Sequence, residues 1–245
     1  SAPAQLNIPR DMWTQVIDVE LPAVVEFERP SGGEQAIAQA AELLSNAKNP
    51  VILNGAGVVL SQGGIDASRA LAERLDAPVC VGYQHNDAFP GSHPLFAGPL
   101  GYNGSKAGME LIREADVVLC LGTRLNPFST LPGYGMEYWP ADAKIIQVDI
   151  NPDRIGLTKK VSVGIIADAA KAANGILDRL SESAGDDGRA ERKAKIAEKK
   201  SRWAQQLSSM DHEDDDPGTT WNQRARADKP DWMSPRMAWR AIQSA

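Results

Sequence analysis

Cysteine, histidine and positive charge are all scarce in this chain of 245 residues. The two cysteines, Cys80 and Cys120, lie inside apolar runs and show no CxxC or other metal-like spacing. They read as small buried hydrophobes of a reducing, cytoplasmic setting, which excludes a disulfide framework and a nucleophile. The three histidines, His85, His93 and His212, share no i, i+4 spacing, so no metal site is expected from them. No Ser-His-Asp order and no nucleophile elbow can be assembled. The net charge is -6 and no basic stripe is visible, which excludes a nucleic-acid surface. The apolar runs are too short to cross a bilayer, and no charged-then-apolar secretory segment opens the chain.

What is present is a 42% hydrophobic share, enough to bury the core of one domain with flanking pieces. Four strand-like runs each end in a turn rich in glycine or acid. They are PVILNGAGV (50–58), PVCVGYQ (78–84), DVVLCLGTRLN (116–126) and AKIIQVDINP (143–152), and residues 161–166 give a fifth. The runs are continuously apolar rather than alternating, as strands covered on both faces are. Helical patterns separate them. Ile37, Ala40, Ala41 and Leu44 fall at i, i+3, i+4, i+7. Residues 66–75 form a second helix with Asp66 as its cap, and 105–115 a third capped by Ser105. Asp168 caps a fourth, with apolar Ala169, Ala173, Ile176, Leu177 and Leu180. The alternation predicts an α/β fold, a doubly wound parallel sheet with flanking linker segments.

The flanks read differently. Residues 5–8 are expected to form a short strand, after which Pro9, Pro22 and Pro30 break regular structure. The linker VIDVELPAVVEF (16–27) is expected to lie against a surface. Beyond a flexible break at 185–188, a charged helix spans 189–210 with the stripe Ile196, Trp203, Leu207 and Met210. The acidic run 211–216 reads as a solvated loop and 219–231 as a polar linker. The six tryptophans are scattered and read as packing or interface anchors.

In an open parallel sheet, ligands bind beyond the carboxyl ends of the strands. Those ends here are 54–57, 82–85, 122–126 and 149–152. Gly55 and Gly57 make a G-x-G, but Leu60 stands where the dinucleotide fingerprint has its third glycine. The pair serves either phosphate contact or a tight strand-to-helix turn. Gly122 lets a backbone approach a ligand, and Arg124 offers a fork either to a diphosphate or to a loop carboxylate. Asp149 suits a ribose hydroxyl or the cap of the following turn. His85 lies on the same edge.

LNIPRDMW, HPLFAGPLGYNGS and VVLCLGTRLNPF, followed by IIQVDINPDRIG, resemble the thiamine diphosphate enzymes of the acetolactate synthase type. GYQHNDAFPGSHPLFAGPLGYNGS and LGTRLNPFSTLPGYGMEYWP are most similar to the sulfoacetaldehyde acetyltransferase branch of that family. The resemblance implies three α/β domains. Residues 1–30 would end the pyrimidine-binding domain and carry a linker. Residues 31–183 would be the central, Rossmann-like domain, 184–233 a helix and linker, and 234–245 the start of the diphosphate-binding domain. It further implies thiamine diphosphate and Mg2+ in the full-length enzyme, a small-molecule substrate, and a homodimer or homotetramer. The activating glutamate and the GDG…N motif belong to the outer domains and do not occur here, so the segment alone is expected to be inactive.

Central domains of such relatives hold FAD, an adenine nucleotide or nothing. Flavin-binding ones carry LGMHG and G-S-R-x-D-x-R where this chain has LGYNG (100–104) and GTRLNPF (122–128). Gly101, Gly122, Arg124 and Asp149 match, whereas Asn103, Asn126 and Phe128 do not. The resemblance therefore implies weak or absent flavin. The 122–135 loop, with Phe128, Tyr134 and Tyr138, is expected to shape a substrate entrance or a dimer contact instead. Two rivals share the fold: an FAD-binding acetolactate synthase-like lyase, and a non-catalytic nucleotide-binding or oligomerisation module.

Overall fold

The computed structural model describes residues 5–186, 188–212, 238 and 241–242. Six strands form one sheet: β1 (Pro50–Asn54), β2 (Val79–Val81), β3 (Phe96–Pro99), β4 (Val117–Leu121), β5 (Lys144–Asp149) and β6 (Val163–Ile166). Their spatial order is β3-β2-β1-β4-β5-β6, and every pairing is parallel. The doubly wound arrangement is the expected one. The β3 strand was not anticipated. It is a short edge strand inside HPLFAGP, where proline and glycine mask the apolar signal, and its pairing with β2 shifts register.

Two groups of helices cover the sheet. α1 (Glu34–Ser45) and α3 (Gly64–Leu75) pack on α5 (Ala169–Leu177), with the single turn α2 (Ala56–Val59) between β1 and α3, while α4 (Lys106–Arg113) packs on α6 (Arg189–His212). All five residues of β1 and of β4 are buried. Ile37, Ala40, Ala41 and Leu44 are the buried stripe of α1, as their spacing requires. Cys80 and Cys120 are fully buried thiols in β2 and β4.

Ser105 caps α4 by accepting from the Gly108 amide, and Asp168 caps α5 by accepting from the Ala170 and Lys171 amides. Asp66 is not a cap. α3 starts two residues earlier, behind Gly63 in the left-handed region, and Asp66 instead pairs with Arg69 at 2.8 Å. In α6, Ile196 is buried and Trp203 stacks edge-on against Tyr134, with ring centroids 5.6 Å apart. Two buried ion-pair partners hold α6 down: Asp76 meets Arg189 at 2.7 Å, and Lys199 meets Glu114 at 2.6 Å.

The amino-terminal segment departs from expectation. Residues 5–8 form no strand, since no partner strand lies beside them, and Arg10–Met12 is a single 3-10 turn. The linker does not lie on this body. Val16, Leu21, Val24 and Phe27 are 97%, 81%, 91% and 86% exposed. Positions 213–216 of the acidic run, the polar stretch 219–231 and nearly all of 234–245 lie outside the described residues, as does the Met210 side chain. Among the described residues, no helix is long and apolar enough to cross a membrane.

Candidate functional site

The chain reverses its winding between β1 and β4, which places a crevice beyond the carboxyl ends of those two neighbours. A cleft of about 940 Å³ opens there. Its floor comes from Gly55, Gly57, Gly82 and Gly122, each following a strand. Its walls carry Arg29, Arg124, Arg154, Asp149 and Asp168. Three arginines against two aspartates leave a formal charge of +1 at the mouth. Tyr83 and Phe128 flank it, their rings inclined at 30° with centroids 6.4 Å apart.

The glycines of the floor answer a packing demand first. The Gly57 amide donates to the Gly122 carbonyl at 2.8 Å, and the Gly55 amide to the Leu121 carbonyl at 3.0 Å. A Cβ on Gly57 would lie 2.6 Å from the Gly122 Cα, and one on Gly55 would lie 2.5 Å from the Thr123 Cβ. Two adjacent turns thus lie backbone against backbone, and only glycine permits that. The tight-turn explanation of G-x-G is therefore sufficient, while Gly55 and Gly122 still line the cleft.

Arg124 is exposed between buried Thr123 and buried Leu125, the latter held at φ +54. Among the described residues its guanidinium has no carboxylate partner, so the loop-pairing alternative is not realised. Asp149 does cap its own turn: its Oδ1 accepts from the Asn151 amide at 2.9 Å. Asn126 accepts from the Phe128 amide at 3.0 Å, so its side-chain carbonyl is spent on the loop. His85 lines the cleft, its Nδ1 3.9 Å from Asp87.

Gly101 stands apart from the group. It does not line the cleft but supports the loop beside it, where a Cβ would fall 1.8 Å from the Phe128 carbonyl oxygen. Tyr138 is likewise no entrance residue. It is fully buried and donates to the Ser129 carbonyl at 2.9 Å, because the loop folds inward over it. Tyr134 donates to the Gly104 carbonyl at 2.9 Å, tying the same loop to the turn before α4. Phe128 alone of the three aromatics reaches the cleft.

Three cleft features were not found by sequence reasoning. Gln147, buried in β5, donates to the Thr123 and Arg154 carbonyls at 3.1 and 3.0 Å and accepts from the Gly156 amide at 2.9 Å. It braces two cleft loops, and its signal was a polar residue inside the apolar run IIQVD. Asn54 plays a similar part at the end of β1, bonded to Ser68 and to the Ala88 carbonyl at 2.8 and 2.9 Å. The third is a clasp around Asp168, 5% exposed, which meets Arg29 at 2.9 Å and accepts from Ser61. Burial raises the Asp168 pKa, but bonds from Ser61, Arg29 and the α5 amides outweigh it and hold the carboxyl below its ordinary value.

Among the described residues, no three His, Cys, Asp or Glu converge to hold a metal ion.

Comparison with known proteins fits this architecture. Residues 37–176 match the family described as thiamine pyrophosphate enzyme, central domain. The sulfoacetaldehyde acetyltransferase of Roseovarius nubinhibens is 76% identical over 245 residues, covering 100% of this chain and 40% of the relative. That of Rhodobacter capsulatus is 71% identical over 245 residues, covering 100% of this chain and 41% of the relative. The chain thus spans well under half the length of these relatives. Among solved structures, benzoylformate decarboxylase from Polynucleobacter necessarius superposes with a TM-score of 0.57 at 23% identity. The match covers 70% of this chain and 32% of that one, and shows a shared fold.

Proposed function

The chain belongs to the thiamine pyrophosphate enzymes, as their central domain, and from that premise we propose that the full-length protein converts sulfoacetaldehyde and phosphate to acetyl phosphate and sulfite. The observation that carries this is the 76% identity to the Roseovarius enzyme, sustained over the whole chain. The reaction balances without an external oxidant. The C–S bond breaks and its carbon takes a proton to become a methyl group, while the aldehyde carbon rises to the acyl level and joins a phosphate oxygen.

Thiamine diphosphate, when bound, supplies a nucleophilic carbon for carbonyl chemistry. We assign the cofactor and Mg2+ to the parts of the protein outside residues 31–183. Residues 1–30 and 234–245 then join this body to its neighbours in a cytoplasmic homodimer or homotetramer.

The central domain's own share is positioning. Its cleft presents Arg124, which has no carboxylate partner among the described residues, beside a glycine-built floor, which suits a phosphate-bearing ligand. Flavin lacks its anchors there, since Asn126 is spent on a turn and Phe128 replaces a cation. We therefore favour an adenine nucleotide over FAD as the occupant.

The test is direct. Purified full-length protein with thiamine diphosphate, Mg2+ and phosphate should release sulfite from sulfoacetaldehyde and form acetyl phosphate in equal amounts. Absence of both products under saturating cofactor rejects the assignment, and bound flavin absorbance would favour the acetolactate synthase-like alternative.

A further inference from the structure

Helix α6 is basic, and most of its cations are engaged by acids. Arg189 and Lys193 meet Asp76 at 2.7 and 3.2 Å, and Lys195 and Lys199 meet Glu114 at 3.1 and 2.6 Å. Arg202 meets Glu198 at 2.9 Å. A carboxylate at that range favours the charged form of an amine.

Lys200 is different. Among the described residues, no carboxylate lies within ion-pair distance of its Nζ. It donates instead to two backbone carbonyls of the turn before β3, Pro94 at 2.8 Å and His93 at 3.4 Å. The acid on that side, Glu73, is taken by His93. The His93 Nδ1 accepts from the Leu95 amide at 3.2 Å, so Nε2 carries the hydrogen that faces Glu73 at 3.1 Å. Two carbonyls occupy two N–H hydrogens, so a neutral Lys200 amine satisfies both and keeps its lone pair on the open side. Burial acts in the same direction and lowers the Lys200 pKa below the ordinary lysine value. The side chain is only half-buried, which leaves the amine within reach of a small electrophile.

We propose that Lys200 is an acylation site whose amine takes the acetyl group of acetyl phosphate. The lone pair attacks the acetyl carbon, the bond from that carbon to the phosphate oxygen breaks, and the amine hydrogen leaves with phosphate. The products are acetyl-lysine and inorganic phosphate, and no further reactant is needed. The new amide keeps one N–H, so one of the two carbonyls loses its donor and α6 is tied less firmly to the turn before β3. The inference goes beyond the proposed reaction and rests on it only for the source of the reagent.

Synthetic acetyl phosphate and the full-length protein test the site near pH 8, with acetylation followed residue by residue by mass spectrometry. Lys200 should react at least about fivefold faster than carboxylate-paired Lys193, Lys195 and Lys199 and than exposed Lys48 and Lys144, because more of its amine is neutral. In guanidinium chloride that lead should vanish. A Lys200 rate no greater than that of Lys48 overturns the proposal, and so does a lead that persists in the unfolded chain. Sulfite release from sulfoacetaldehyde, measured on the same protein, separates the two readings. Lys200 labelled by added acetyl phosphate in protein that releases no sulfite upholds the site and rejects the reaction. Lys200 left unlabelled by added acetyl phosphate in protein that releases sulfite overturns the site alone.

Discussion

Replacing Gly57 with alanine tests how the cleft floor is built. The added Cβ would lie 2.6 Å from the Gly122 Cα and 3.0 Å from the Gly122 carbonyl oxygen. Both neighbours are backbone, so no rotamer change relieves the overlap, and the turns after β1 and β4 must separate by several tenths of an ångström. Overpacking of that kind costs roughly 1–3 kcal/mol. Separation also strains the 2.8 Å bond from the Gly57 amide to the Gly122 carbonyl, worth roughly 1 kcal/mol. The expected loss for Gly57→Ala is thus about 2–4 kcal/mol.

Gly122→Ala meets the same overlap from the other side, at 2.6 Å from the Gly57 Cα. It also forces alanine to φ +60, which adds about 1–2 kcal/mol. Gly91→Ala is the control, since nothing lies within 4 Å of its Cβ and its φ is ordinary. Urea unfolding monitored by tryptophan fluorescence should show a lower midpoint for Gly57→Ala, a lower one still for Gly122→Ala, and no change for Gly91→Ala, all at constant slope. If Gly57→Ala stays within about 0.5 kcal/mol of wild type at unchanged slope, the backbone-contact explanation of the G-x-G is wrong.

Other expectations follow from the same geometry. Asp168→Asn should cost about 2–3 kcal/mol at pH 7, because it weakens charge-assisted bonds to Ser61 and Arg29. The folded-state pKa of Asp168 is lowered. Its contribution is therefore full above the ordinary carboxylate value of about 3.9 and is lost as pH falls through the folded value. Urea midpoints at pH 7 and near pH 3 should differ by a smaller amount in the variant than in wild type. Burial pushes the Cys80 thiol up to about 12 and raises that of Cys120 as well. Neither should react with a disulfide reagent at pH 8 until the protein opens, and labelling within the mixing time would contradict their burial. Tyr138→Phe leaves the Ser129 carbonyl without its donor. About 1–2 kcal/mol of stability should be lost, read by thermal unfolding, with ADP affinity unchanged because the ring does not reach the cleft.

How far the sequence carried the structure can be followed residue by residue. The strands over 50–54, 117–121 and 144–149 were legible because a strand covered on both faces must be apolar throughout. The caps Ser105 and Asp168 were legible because capping is decided within four residues. Asp66 misled, since an acid in the first turn of a helix looks like a cap when the true start behind Gly63 carries no side chain. The edge strand Phe96–Pro99 was hidden, because its identity rests on pairing with β2 and not on its own pattern. Of the five cleft candidates, Gly55, Gly122, Arg124 and Asp149 converge, while Gly101 serves a neighbouring loop.

The order of apolar runs and glycine turns by itself determined a parallel α/β sheet and the edge on which its cleft opens, because those properties follow from side-chain burial along each strand. Only the tertiary structure decided which side chains surround that cleft. Arg29 and Asp168 lie 139 residues apart, and no local preference brings a linker arginine to the cap of the last core helix. Their meeting depends on the sheet's winding, which carries β6 back beside the point where the chain first enters the domain.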